Sequence, residues 1–403
     1  MKKVLLFLIV PFFIACQEAK PKFPKDGTWR AALKLDKGKE IPFILEWQKG
    51  SKMIIQNAEE RIEVKDITFF GDSVYIEHPV FEGIFKGIYS NDTISGNFIK
   101  PSLDRVVPFY MYAGKEKRFK IKGAPTVIIN GAWETVFSPN KPADRYIAKG
   151  IFKQTGNKVH GTFRTTTGDY RYLDGMIQDD TLKLSTFDGA HAFLFEAKVT
   201  DSLMEGHFYS GNHWKEPFMA KLNNEYELPS TDSLTFIKEG YEKIEFTFKD
   251  TKGKEVSLAD DRFKDKVVLV QIMGTWCPNC LDETKYFSEY YKKNKSENLE
   301  MVALAFEYAK TEEGAIKSIN KFKKGVGVPY PVLLAQYGSA SKLKANKKLP
   351  MLNHVLSYPT TIFIDKTGKV RRIHTGFNGP ATGKEYTKFT KEFEEFVGGL
   401  VKE

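Results

Sequence analysis

From Lys266 to Met273 the chain reads Lys-Val-Val-Leu-Val-Gln-Ile-Met. After Gly274 and Thr275 it passes into Trp276-Cys277-Pro278-Asn279-Cys280 and the amphipathic stretch 281–293. A strand with one wet face alternates apolar and polar residues; an unbroken apolar run needs cover on both faces, as in the central strand of a sheet between helices. The two cysteines therefore stand where a buried strand hands over to the first turn of a helix. Unpaired amide groups and the helix dipole favour negative sulfur there, and only the thiolate attacks a disulfide. Cys277, nearer the turn, is the expected nucleophile. Cys280, one turn further and less exposed, is placed to resolve a mixed disulfide. Trp276 and Pro278 flank the nucleophile and complete the expected site. Each pKa unit of thiolate stabilisation is worth roughly 1.4 kcal/mol, so the helix terminus and Pro278-Asn279 between them set the redox poise.

Other uses of this motif fit poorly. A zinc site wants a second ligand pair, and covalent haem attachment wants His after the second cysteine, where position 281 is Leu. Neither a metal nor a cofactor is expected. The chain has only three cysteines. Without a disulfide framework, a Cys277–Cys280 disulfide is chemical rather than structural. The third, Cys16, follows Met-Lys-Lys and an apolar run from Val4 to Ala15 that is too short to span a bilayer but suits a secretory signal. Phe13-Ile14-Ala15-Cys16 resembles a bacterial lipobox with Phe where Leu is usual, which implies lipidation of Cys16. An ordinary signal or an amino-terminal anchor is the alternative.

Residues 16–26 read as a tether, and 27–225 as short β-type runs broken by Gly, Asn and Asp at roughly ten-residue spacing, without long helical periodicity. Gly27-Thr28-Trp29 is echoed by Gly131-Ala132-Trp133, and the segment ending Asn97-Phe98 by the one ending His207-Phe208. Two similar antiparallel β units are expected, 27–122 and 123–225, each a sandwich or small barrel. Residues 226–238 suit a linker, and 239–403 a separate α/β domain whose Trp276-Cys277-Pro278-Asn279-Cys280 centre resembles that of thioredoxins and implies a thioredoxin-like fold. Trp29, Trp47, Trp133 and Trp214 either fill the β cores or line a ligand surface; core is the commoner fate. His78, His160, His191, His207 and His213 lack the partners of a metal site. The net charge of +10 divides into about +5 on either side of residue 225, so no single basic domain marks a nucleic-acid binder. Lys321, Lys323, Lys324, Lys342, Lys344, Lys347 and Lys348 lie in an acid-free stretch ending at Ile364. They form either a solvated surface or a patch for acidic partner proteins.

The segment from about 240 to 403 resembles the TlpA-like and ResA-like membrane-tethered thioredoxins. The resemblance rests on Phe248-x-Asp250, Gly253, Val256-Ser257-Leu258, Lys266 to Val270, Trp276-Cys277-Pro278-x-Cys280, Glu283, and Tyr358-Pro359-Thr360-Thr361-Ile362-Phe363-Ile364-Asp365-x-x-Gly368. It implies a cis-proline at Pro359, facing the disulfide and presenting backbone to the substrate. Thioredoxins proper often carry a buried Asp where this chain has Gln271, and Gln does no acid–base work. The family's acid near the end of the next strand falls at about Glu307, which makes Glu307 the expected proton acceptor for Cys280. Lys285 stands where the family has a helix-kinking proline, and Pro329 to Leu334 fall in an inserted helix and strand.

These features point to a thiol–disulfide oxidoreductase in the cell envelope, lipid-anchored and facing the periplasm. Its expected partners are envelope proteins with disulfides, an upstream electron donor and the membrane, with no nucleic acid. The resemblance favours disulfide reduction. A thiol peroxidase is one rival, although Cys277 lacks the Pro-x-x-x-Thr/Ser-x-x-Cys context. A ligand-binding lipoprotein with a secondary redox domain is the other.

Overall fold

The computed structural model describes residues 23–403 apart from 121 and 233; the expected signal sequence and Cys16 lie outside the described residues. Gly27–Lys34 begins a nine-stranded antiparallel sheet that ends with Arg105–Ala113, and these two strands pair with each other. The second unit repeats the plan. Gly131–Phe137 pairs with Trp214–Leu222, and the pairing of Tyr146–Thr155 with Lys158–Thr165 closes the sheet into a barrel.

The echo between the two sequences has a structural counterpart. Gly27 and Gly131 both adopt positive φ, at 113° and 119°. Each admits a tryptophan two residues on that is wholly buried. Trp29 Nε1 donates to Lys25 O at 2.9 Å, and Trp133 Nε1 to Ile129 O at 3.0 Å, so both indoles close the mouth of their unit in the same way. Trp47 is also wholly buried, as are Phe137, Phe163, Phe195 and Phe218 around Trp133. Most large β-region aromatics are core, with Phe70, Tyr75 and Tyr112 exposed, and Trp214, at 45% exposed, is the exception among the tryptophans. Replacing Trp133 with Ala should cost about 3–5 kcal/mol, measured as a lowered urea midpoint at constant slope.

The redox unit comprises β1 (Thr247–Asp250), β2 (Glu255–Ser257), β3 (Val267–Met273), α1 (Pro278–Asn294), β4 (Leu299–Phe306), α2 (Glu312–Val326), β5 (Val332–Gln336), α3 (Lys342–Lys348), β6 (Thr360–Ile364), β7 (Val370–Thr375) and α4 (Lys384–Lys402). The sheet order is β2-β1-β5-β4-β3-β6-β7, with β3, β4 and β5 parallel and β6 and β7 antiparallel to their neighbours. This is a thioredoxin-like fold. Every residue of β3 and β4 is buried, as their largely apolar sequences require, with Gln271 and Glu300 the polar members. α1 runs without interruption through the exposed Lys285. Part of 226–238 is fastened to this unit: Asp232 pairs with Arg372 and with His374, each at 2.7 Å, and the buried Thr235 accepts from Thr375.

The β units are packed on the redox unit. Val80 and Phe81 of the first lie in the apolar core of the redox unit, and Phe187 and Leu194 of the second lie in the core of the first. Lys321 reaches back to Glu77 of the first unit, while Lys342, Lys344, Lys347 and Lys348 are exposed on α3, so the acid-free lysine stretch is divided between two helices.

Candidate redox site

β3 ends at Met273, and the chain turns through Gly274 and Thr275 so that Cys277 becomes the N-cap of α1, with Pro278 at the first helical position. Proline there costs no hydrogen bond and has its φ already set for the helix. Cys280 N donates to Cys277 Sγ at 3.2 Å, and the Cys277 thiol donates to Tyr358 O at 3.3 Å. A thiolate at Cys277 would keep the amide bond and gain the positive end of the helix. Both cysteines are free thiols, 6% exposed at Cys277 and wholly buried at Cys280. Burial pushes the Cys280 thiol well above its usual range, and the hydrogen bond and charge of Cys277 push it further. The Tyr358–Pro359 peptide is cis. Thus Cys277, Cys280, Pro278 and Pro359 gather at one end of β3 and β6. Trp276 closes one side, donating to Phe306 O at 2.9 Å and standing edge-on to Tyr358.

Glu307, one residue past β4, is buried and pushed up to about 7 by loss of solvation. Both of its oxygens are occupied by Thr275: the backbone N–H donates at 2.8 Å and the hydroxyl at 2.7 Å. Glu307 also lines a cavity of about 200 Å³ between Trp276, Tyr308 and the Val80–Gly83 loop of the first β unit. It braces the turn before the cysteines.

A second buried carboxylate stands beside Cys280 on the helix. Glu283, three residues after Cys280 on α1, is wholly buried and pushed up to about 8 by desolvation; its charge is among the influences that raise Cys280. Gln271 Nε2 donates to one of its oxygens at 2.7 Å and Thr361 Oγ1 to the other at 2.9 Å, while Thr284 Oγ1 donates to Gln271 Oε1 at 3.1 Å. Gln271, where an acid was expected in thioredoxins proper, thus holds the acid that the helix supplies. The sequence contained a usable signal: Glu283 faces the same way as Cys280 one helical turn on.

At the start of α3, Lys342 is exposed along its side chain, but neighbouring protein partly desolvates its ammonium and lowers it below its usual range, and the charge of Cys277 opposes that shift. One lysine of the acid-free stretch therefore lies within electrostatic reach of the candidate nucleophile.

Glu283 also makes a stability prediction. Its folded pKa is raised, so the native state holds a proton that the unfolded state releases from about pH 4.5 upward. Its contribution is full below that range and is lost as pH rises through about 8. Glu283→Gln should flatten that part of the urea-stability profile between pH 5 and 8.

Residues 238–388 match the family model described as Redoxin. The chain is 30% identical over 158 residues to the thiol-disulfide oxidoreductase ResA of Bacillus subtilis (strain 168), covering 39% of this chain and 79% of that protein. It is 32% identical over 149 residues to the ResA of Bacillus thuringiensis subsp. konkukian (strain 97-27), covering 37% and 76%. Among solved structures, a thiol:disulfide interchange protein of the thioredoxin family from Chlorobium tepidum TLS is similar at 20% identity and a TM-score of 0.30, over 41% of this chain and 98% of that one.

Proposed function

Because the chain belongs to the ResA family of thiol-disulfide oxidoreductases, we propose that it reduces disulfides of other envelope proteins through a Cys277/Cys280 cycle. The Cys277 thiolate attacks one sulfur of the substrate cystine. A mixed disulfide forms and the other substrate sulfur leaves as a thiolate that takes up a proton. Cys280 gives its proton to the Glu283 carboxylate and attacks Cys277 Sγ. The second substrate thiol is released, and a Cys277–Cys280 disulfide remains for an upstream dithiol to reduce. In this reading the proton acceptor is Glu283 rather than the expected Glu307, because Glu283 follows Cys280 by one helical turn and is the carboxylate whose charge raises the Cys280 thiol, whereas Glu307 is held at the turn before Cys277. Pro359 and Tyr358 O border the attacking sulfur, and Trp276 and Pro278 hold it at the helix end. In this reading Cys16 carries the lipid that tethers the protein at the envelope membrane, facing the periplasm.

The observation that carries the reading is the Cys277 sulfur at the N-cap of α1, with buried Cys280 and Glu283 behind it. Insulin-disulfide reduction by the purified full chain, driven by dithiothreitol, tests it. Turnover with peroxide and none with insulin would favour the peroxidase. A cellular phenotype that survives Cys277→Ser would favour the binding protein.

The proton route predicts its own pH signature. Resolution should rise as Glu283 ionises near pH 8. Glu283→Gln should remove that inflection and slow resolution by roughly 10²-fold, the lower end for general acid–base catalysis. Stopped-flow tryptophan fluorescence across pH 6–10 reads both.

A further inference from the structure

The redox face is covered by the chain's own second β unit. The hairpin formed by Lys158–Thr165 and Gly168–Asp169 turns through Thr166 and Thr167, and its tip lies against the loops beside the cysteines. Ser357 Oγ donates to Thr167 O at 3.0 Å. A Cβ on Gly376 would lie 2.6 Å from the Thr167 carbonyl carbon, and one on Gly168 would overlap the Asn279 side-chain amide nitrogen. Gly376, under the tip, is buried, as are the neighbouring Pro278 and Pro359. A disulfide approaching Cys277 from this side meets the tip first.

Two features distinguish the tip from the body of its unit. The residues that follow are firmly anchored: Asp169 accepts from Gly379 N, and Arg171 holds Asp282 of α1 through Nε and Nη2 at 2.9 and 3.0 Å. The tip itself is tied to the redox unit by the Ser357 bond and close packing, and it joins the anchor through Gly168 at φ 140°. Gly168 can change conformation at a cost other residues cannot match. If the tip swings while the body stays, the space it leaves is one chain thick, about 5 Å.

We propose that the Thr165–Gly168 tip is a specificity element, a tethered strand that occupies the place of the substrate chain and yields only to cystines in extended, flexible segments. The proposal rests on the exchange reading above. Disulfides held in rigid folded surfaces are disfavoured because the anchored body of the unit stands behind the tip.

Gly168→Ala tests this, since an alanine is strained at φ 140° and its methyl would crowd the Asn279 side chain and the Phe377 carbonyl, so the present position of the tip is disfavoured. Iodoacetamide labelling of Cys277 in the full chain, read by peptide mass spectrometry, should accelerate about tenfold or more, as expected if the uncovered state is a minor one. Turnover of a folded protein with a surface disulfide should rise relative to that of an unstructured cystine peptide. Ser357→Ala, which removes only the tie, should raise labelling by roughly threefold to tenfold and gives a reading even if the glycine variant does not fold. Unchanged labelling in the folded variants, or faster labelling with an unchanged substrate ratio, would overturn the proposal. If wild type turns over neither substrate, the exchange reading fails; labelling, which needs no substrate, still decides whether the tip covers Cys277.

Discussion

Cys277→Ser abolishes disulfide exchange, lowering the rate of insulin reduction by roughly three orders of magnitude or more, because a serine hydroxyl offers no thiolate-like nucleophile near neutral pH. The loss is chemical, not structural. Serine at the N-cap accepts the Cys280 amide bond at least as well as sulfur does, so α1 and the urea midpoint should be unchanged. Cys280→Ser should behave differently. Its first attack by Cys277 persists, and the mixed disulfide then waits for an external thiol. Rapid-quench assays separate the two: no covalent adduct forms with the first variant, and a stoichiometric adduct accumulates with the second. Equal first-attack rates for wild type and Cys277→Ser would contradict the assignment.

The second large effect is on stability. Arg171 is buried where both β units meet the redox unit, and its guanidinium contacts Glu60 of the first β unit at 2.6 Å, Asp188 at 2.8 Å and Asp282 of α1 at 2.9 Å. The side chains of all three acids are at most 9% exposed. Burial opposes ionisation of Asp188, but the charges of His191 and Arg171 hold it below the usual carboxylate range. Arg171→Ala leaves these carboxylates buried without their cation and should cost about 3–5 kcal/mol. Arg171→Lys should recover only part, since one ammonium cannot span three partners that a planar guanidinium reaches together. The pH response identifies the cause. In wild type the Arg-paired Asp188 stabilises at neutral pH, and that contribution is lost on acidification; in the variant the unpaired acids are pushed up and stability falls as pH rises. The deficit should therefore shrink from pH 8 to pH 5 in urea titrations. A deficit independent of pH would point to lost packing instead.

Much of this was readable from the chain. The largely apolar run of β3 required a strand covered on both faces, and the change of period at Cys277 placed the sulfurs at a helix start. The repeated Gly-x-Trp marked two similar β units because the same glycine conformation and the same buried indole recur. What could not be read depends on surfaces brought together from afar. Glu307 and Glu283 are both buried acids beside apolar segments, each held by two donors, and only the fold shows that Thr275 ties Glu307 to the turn before Cys277 while Gln271 and Thr361 hold Glu283 on the helix of Cys280. Arg171 and Asp282 are 111 residues apart, and neither sits in a motif. The hairpin tip reads as an ordinary Thr-Thr-Thr-Gly turn, and its position over Asn279 follows from the packing of two units whose sequence patterns describe each one alone. Lipidation at Cys16 rests on the sequence and lies outside the described residues.

The central claim is that Cys277 attacks disulfides in other proteins. It is tested most directly by trapping with the full-length Cys280→Ser variant in cell-envelope extracts, followed by mass spectrometry of the covalent products. The predicted result is a set of cystine-containing proteins joined through Cys277 and released by dithiothreitol, with none recovered when Cys277 is also serine. Recovery of no covalent partner, or of partners joined elsewhere than Cys277, would contradict it.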